Sequence, residues 1–249
     1  MINRRTLIAI AIGIALSAPV QARESSIEQL AKQVTVRVLS ESGSGSGVIV
    51  DRYNSTYVVL TNQHVAPEAI AYTVLTSDGD RHPATLRKIA LSNSLDLALI
   101  EFESQQDYQT VKIGRSETLK TGDLLYSAGF PNYHFPRDRS YLESTYNWDM
   151  KAFLLTSGTL QMQAPKPLLQ GYSLGYTNTV RDGMSGGPIL DRQGRLVGIN
   201  GRLSYPVQGD RAFLFEDGTQ PSKSLIQQMK PLSWGIPASQ FQSLFANAH

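Results

Sequence analysis

The segment SGVIVDRYNSTYVVLTN, residues 46–62, holds two runs rich in β-branched residues, 46–51 and 56–62. Val, Ile, Thr and Tyr in short runs favour strands, because branched and flat side chains pack well on a pleated surface. Working outward, further candidates are 34–39, 71–77, 82–91 and 95–103, divided by turn signals such as Asp78-Gly79-Asp80. Six strands at regular spacing with no long helix between them predict a small antiparallel barrel. A linker near 112–122 leads to a second set at 123–129, 152–162, 171–178, 187–191, 195–200, 212–215 and 232–236. Asp191-Arg192-Gln193-Gly194 reads as a hairpin loop with glycine at its left-handed position. The expected fold class is all-β: two antiparallel six-stranded barrels, about 34–113 and about 119–236, with a cleft between them.

Short helices flank the barrels. Ser25-Ser26-Ile27-Glu28 has the form of a capping box, and Ile27, Leu30, Ala31 and Val34 then share one helical face. PASQFQSLFANA, residues 237–248, reads as a terminal helix with Phe241, Leu244 and Phe245 as its apolar contacts. Segments 131–150 and 202–231 are less regular and read as surface loops of the kind that shape a binding site.

The first 22 residues have a different character. Arg4 and Arg5 precede an apolar run from Leu7 to Leu16, and Val20-Gln21-Ala22 places small residues where a signal peptidase cuts. A signal peptide ending at Ala22 is expected, and with it export to the periplasm or the extracellular space. Losing Arg4 and Arg5 lowers the 23 basic residues to 21, equal to the 21 acidic ones. With a balanced charge and no dense basic block, nucleic acid is not an expected partner. The chain has no cysteine, so its stability rests on its hydrophobic core. No second apolar segment is long enough to cross a membrane. A monomer is expected.

The stretch RDGMSGGPIL, residues 181–190, sets Ser185 among Gly183, Gly186 and Gly187. Glycine loses more conformational freedom on folding than any other residue, so three around one hydroxyl imply tight bending and close approach. A serine nucleophile needs a base and a group to orient that base. Of the four histidines, His249 is terminal, His82 opens a strand and His134 lies in an irregular segment. His64 ends a strand, where a barrel gives way to a loop. Asp96 enters the most apolar strand of the first lobe, and a carboxylate there requires a partner.

TNQH (61–64), LDLALI (95–100) and GMSGGP (183–188), in this order, resemble the motifs of the chymotrypsin-like serine proteases. SGSGVIV (44–50) is similar to the strand that precedes the histidine in that family, and the likeness is greatest to its bacterial, disulfide-free members. The resemblance implies a serine endopeptidase acting on peptide or protein substrates without a cofactor or metal. Ser185 would attack the scissile carbonyl, His64 would take its proton, and Asp96 would hold the imidazole. The N–H groups of Gly183 and Ser185 would form the oxyanion hole. Met184 stands where animal digestive members carry an aspartate that pairs with a new N-terminus, so activation of that kind is not expected. The pocket for the residue before the cut would be lined by Thr179, Val180, Asn200 and Gly201, with an uncharged residue preferred. With few residues after the second lobe, no appended peptide-binding domain like that of the heat-shock proteases is expected. Two other readings stand beside the protease: a catalytically inactive, protease-shaped domain that binds peptide or protein, and an esterase. The esterase would require a G-x-S-x-G turn between strand and helix with histidine last, which this order of motifs opposes. Glu216-Asp217-Gly218 with Asp210 matches no full calcium-ligand set.

Overall fold

The β-branched runs are apolar on both faces because each strand has two things to bury against. The computed structural model describes residues 20–41, 43–67, 71–87, 94–134, 136 and 141–245. Residues 1–19, most of the expected signal segment, lie outside that set. Strands β1 (Thr35–Ser40), β2 (Gly43–Tyr53), β3 (Thr56–Thr61), β4 (Tyr72–Leu75), β5 (Arg81–Arg87) and β6 (Ala98–Glu103) close a barrel in the order β1-β2-β3-β6-β5-β4, antiparallel throughout. Along β3, Tyr57 and Val59 face the barrel interior with Val36, Ile49, Ile100 and Phe102. Val58 and Leu60, on the other face, join a second cluster that reaches Leu190, Ile199 and Trp234. Alternation therefore sorts one strand between a barrel interior and the seam with the next lobe.

The second barrel is built from β7 (Leu124–Gly129), then, after a two-residue ladder of β8 (Tyr133–His134) with β9 (Glu143–Ser144), β10 (Leu154–Gln163), β11 (Leu174–Tyr176), β12 (Pro188–Asp191), β13 (Leu196–Arg202) and β14 (Ser233–Pro237). Its order is β10-β11-β14-β13-β12-β7, again antiparallel. The two closed barrels agree with the fold class expected from the sequence. The 191–194 hairpin forms as read: Gly194 has φ 74°, and its N–H reaches Asp191 O at 2.9 Å. Among the described residues no helix is long and apolar enough to cross a membrane.

Several local expectations are corrected. Helix α1 (Val20–Val34) begins upstream of the cap expected at Ser25, since Gln21, Ala22, Arg23 and Glu24 all favour helix and leave no reason to stop. No strand forms at 212–215. Gly209–Phe213 is a 3-10 helix, Phe215 makes one isolated bridge to Leu168, and the Phe213 ring packs on Trp234 at 6.3 Å. Burial of one aromatic, rather than strand pairing, orders that stretch. The region 202–231, expected to be a surface loop apart from a strand at 212–215, contains helix α2 (Lys223–Met229), started by Ser222 accepting from Leu225 N–H at 3.2 Å. The terminal helix is replaced by two 3-10 turns, Ala238–Gln240 and Gln242–Phe245. Ser239 N–H is tied to Ser116 Oγ at 3.0 Å there, which brings Phe241 fully inside and leaves Leu244 exposed. The strand expected at 82–91 ends at Arg87, and residues 88–93 and 246–249, with His249, lie outside the described set.

Ser46, on β2, ties the barrels together. Its N–H donates to Ser185 O (2.8 Å), its hydroxyl donates to Gly183 O (2.7 Å), and that hydroxyl accepts from Phe130 N–H (2.8 Å). All of this is buried, so Ser46→Ala strands a carbonyl and an N–H without partners. A loss of about 1–3 kcal/mol is expected, measured as a lower urea midpoint at unchanged m-value.

Candidate active site

The loop before β12 takes its shape from what presses on it. Gly183 has φ 92° and Gly186 has φ 85°, the left-handed region that side chains avoid. A Cβ at 183 would overlap Phe130 O and the Asn132 backbone, and one at 186 would overlap Ser46 O. The glycines flanking Ser185 thus answer both to backbone angle and to close approach from both barrels. Met184 is fully buried and packs in the second-barrel interior with Leu125, Ile189 and Val197.

His64 follows β3 in a turn in which Val65 and Ala66 donate their N–H groups to Asn62 O, each at 3.1 Å. Asp96 lies just before β6, which pairs directly with β3, so the ladder delivers the two side chains to one point. Asp96 Oδ1 accepts from His64 N–H at 3.0 Å, and Asp96 Oδ2 lies 2.7 Å from His64 Nδ1. The carboxylate is 3% exposed and the imidazole 48%. An ionised carboxylate has no proton to give, so in a neutral ring Nδ1 carries the proton and Nε2 is the acceptor nitrogen. Tyr172 OH also donates to Asp96 Oδ2, at 2.5 Å, and Asn62 Nδ2 donates to Asp96 O at 2.8 Å. Burial opposes ionisation of Asp96, but the hydrogen bonds from His64 and Tyr172 and the charge on His64 outweigh it and hold the carboxyl below the ordinary aspartate range.

Ser185 is 8% exposed, and its Oγ lies 3.4 Å from Gly201 O. Among the described residues no hydrogen bond joins Ser185 Oγ to His64. An indirect series of contacts runs from Ser185 to Gly201 O, past Tyr172 OH, for which the missing side chain at 201 leaves room, and on to Asp96 and His64. Among the described residues neither the Gly183 N–H nor the Ser185 N–H has an acceptor. Asp182 O accepts from Asn132 N–H at 2.7 Å. Because C=O and N–H of one trans peptide point opposite ways, this bond turns the Gly183 N–H away from Asn132.

Asn132 is itself braced. Ser44 Oγ donates to Asn132 Oδ1 (2.6 Å), Thr145 N–H donates to Asn132 O (3.0 Å), and Arg37 Nη1 donates to Thr145 O (2.8 Å). Arg37, only 1% exposed, also reaches Thr145 Oγ1 and Ser44 Oγ, each at 3.2 Å. Burial lowers its pKa, with the negative charge of Asp149 partly offsetting that. Of the residues expected to line the specificity pocket, Gly201 adjoins Ser185, Val180 packs with the barrel interior and Thr179 is exposed. The Asn200 amide is engaged within the barrel: its Oδ1 accepts from Ser127 Oγ and Tyr176 OH, and its Nδ2 donates to Ala128 O. Tyr172, Asn132, Thr145 and Arg37 escape a reading of the sequence. Only Arg37, a charge within the apolar strand TVRVL, left a signal there.

The family described as trypsin-like peptidase domain matches residues 45–199, more than half of the chain. A probable periplasmic serine protease do/HhoA-like of Haemophilus influenzae is 28% identical over 190 residues, covering 75% of this chain and 36% of the relative. A probable periplasmic serine endoprotease DegP-like of Buchnera aphidicola is 30% identical over 185 residues, covering 74% and 35%. The periplasmic pH-dependent serine endoprotease DegQ of Escherichia coli is 28% identical over 187 residues, covering 75% and 37%. The chain spans about a third of the length of these curated relatives. The matched region takes in the strand and turn of His64, Asp96 and the Ser185 loop, on the two-barrel fold, and the chain belongs to the trypsin-like peptidase family.

Proposed function

We propose that the chain is an exported serine endopeptidase working through an acyl-enzyme. The observation that carries this reading is the bond between His64 Nδ1 and the buried Asp96 carboxylate, 2.7 Å long, which leaves Nε2 of the half-exposed ring available to act as a base. In this reading the Ser185 hydroxyl, which rests against Gly201 O, turns to donate to His64 Nε2 when substrate binds. Such bonds are often unmade in a free enzyme and tighten with substrate. His64 then takes the hydroxyl proton as Oγ bonds to the scissile carbonyl carbon, and the carbonyl π pair moves onto oxygen. The N–H groups of Gly183 and Ser185 receive that oxyanion. The pair returns, the C–N bond breaks, and the imidazolium gives its proton to the leaving amine. Water, deprotonated by His64, repeats the sequence on the ester and releases the acid. Gly201 and the 179–180 segment would meet the residue before the cut, with Asn200 supporting that wall from within the barrel. Export is supported by the character of residues 1–22 and by relatives named as periplasmic.

The bond from Ser185 Oγ to Gly201 O favours a second reading, a protease-shaped binding domain with an idle nucleophile. Labelling with a fluorophosphonate probe, which reacts only with an activated serine, separates the two. Labelling of the chain from residue 23 onward is expected, with none in Ser185→Ala or His64→Ala. An unlabelled parent protein, or labelling that survives Ser185→Ala, overturns the protease.

Two further outcomes follow from the ionised Asp96. Asp96→Asn removes the acceptor that sets the tautomer and is expected to lower kcat about 10⁴-fold, measured with a peptide the parent cleaves. Because the folded carboxyl lies below the ordinary value of 3.8, its contribution to stability is full above that pH and is lost as pH falls through the lower folded value. Urea midpoints between pH 5 and pH 2 should therefore fall more steeply for the parent than for Asp96→Asn.

A further inference from the structure

We infer that Tyr172 is a positioning residue of the catalytic apparatus, holding the Asp96 carboxylate from the second barrel while Gly201 provides the space its phenol needs. The inference rests on the protease reading for its kinetic consequences but not for its geometry. Asp96 receives three donors: the backbone N–H and Nδ1 of His64 from the first barrel, and the Tyr172 hydroxyl from the second. The phenol and the imidazole share one oxygen, Oδ2. A carboxylate held only by His64 would have both contacts on one partner and could pivot with it. A third donor from a separate element fixes the plane of the carboxylate, and with it the plane of the ring.

The surroundings of Tyr172 are arranged for this contact. Gly171, just before it, has φ 86°, and a Cβ there would overlap Leu95 Cδ2, beside Asp96. Asp96 N–H donates to Gln170 O at 3.2 Å, so the turn leading to Tyr172 is anchored on the residue its phenol serves. The Arg202 guanidinium lies over the ring, 4.2 Å from its centroid, and donates to Leu169 O at 2.7 Å and Gln170 Oε1 at 3.2 Å. The phenol is 1% exposed. Burial, with the adjacent Asp96 charge, raises its pKa well above 10, so it acts as donor and not as anion.

The clearance at Gly201 makes the arrangement specific. A Cβ at 201 would overlap Tyr172 OH and would lie 2.6 Å from Cε1 and 2.7 Å from Cζ of the ring. Gly201 O is also the acceptor of Ser185 Oγ. The phenol and a side chain at 201 therefore exclude each other, at a point between nucleophile and carboxylate. Chemically, a donor on Oδ2 keeps negative charge on Asp96 as the imidazolium forms, so the proton stays on His64 for transfer to the leaving group.

Tyr172→Phe keeps the ring, its burial and the Arg202 contact and deletes one hydroxyl. A hydrogen bond to a charged acceptor of this kind corresponds to a loss of about 10- to 100-fold in kcat, with KM and the titratable fraction of active sites unchanged. The low-field proton resonance of His64 Nδ1–H should move, and Gly201→Ala, which displaces the phenol with tyrosine still present, should move it in the same way. Unchanged kcat with an unmoved resonance in Tyr172→Phe overturns the inference. A reduced titratable fraction with an unmoved resonance makes the hydroxyl merely structural and overturns it equally. The resonance reports on His64 and Asp96 whether or not the protein cleaves peptides, so a failure of the protease reading leaves this test intact.

Discussion

A carboxylate shut away from water at the meeting of two barrels is the constraint on which the rest of the structure depends. Taking an ionised group out of water costs several kcal/mol even after relaxation. Asp96, 3% exposed, meets that cost with donors rather than solvent. No single element could supply them all. His64 comes from the turn after β3, which the β3–β6 ladder sets opposite Asp96. Tyr172 comes from the segment before β11, and Asn62 secures the backbone carbonyl of Asp96 itself. Docking of the barrels therefore completes the set of donors that keeps the buried Asp96 ionised. The apolar seam of Val58, Leu60, Leu190, Ile199 and Trp234 drives the docking, and the hydrogen bonds fix its register.

A second buried charge plays the corresponding part for the loop around Ser185. Arg37 sits in β1, where its neighbours Val36 and Val38 fill the barrel and its own side chain points the other way. There the guanidinium holds Thr145 by its carbonyl and hydroxyl, and Thr145 holds Asn132. Asn132 in turn holds the Asp182 carbonyl. The chain from a first-barrel strand to the peptide at 182–183 runs through the 131–150 segment. That segment reads as a surface loop in the sequence, and of its described residues Tyr133, Tyr141 and Tyr146 are exposed while Asn132 and Thr145 serve as the brace. Mutations along it reach the loop around Ser185 without touching any group that would meet substrate.

How much of this is legible in the sequence depends on whether the cause is local. β3 and β6 are legible because their alternation is carried by neighbouring residues, and the 191–194 hairpin is legible because Gly194 has to be left-handed. Asp96 stood out because a carboxylate in an apolar strand has few uses. The stretch 212–215 misleads because Phe213 and Phe215 look like strand residues, while Phe213 is buried on a tryptophan 21 positions away. The short helix α2 is hidden among polar residues, with only Ile226 and Met229 buried. Tyr172 is one of 11 tyrosines, and nothing beside it in sequence refers to residue 96. Its role exists only through a contact across 76 positions.

The glycines make the same argument in reverse. Around Ser185 they read as tight bending and close approach, and the loop is packed accordingly: Phe130 O and Asn132 against Gly183, Ser46 O and Thr61 Oγ1 against Gly186. Gly201 faces a phenol rather than solvent. Each absence of a side chain marks a place where another element has come too close to allow one. The conformational entropy that glycine gives up on folding is offset by the bonds that approach permits. Ser46 reaches Gly183 O and Ser185 O, and Tyr172 reaches Asp96. Glycine here is a means of rigidity. It lets backbone and hydroxyl groups of two barrels meet at hydrogen-bonding distance around one serine, which is the preorganisation that the proposed oxyanion role of this loop requires.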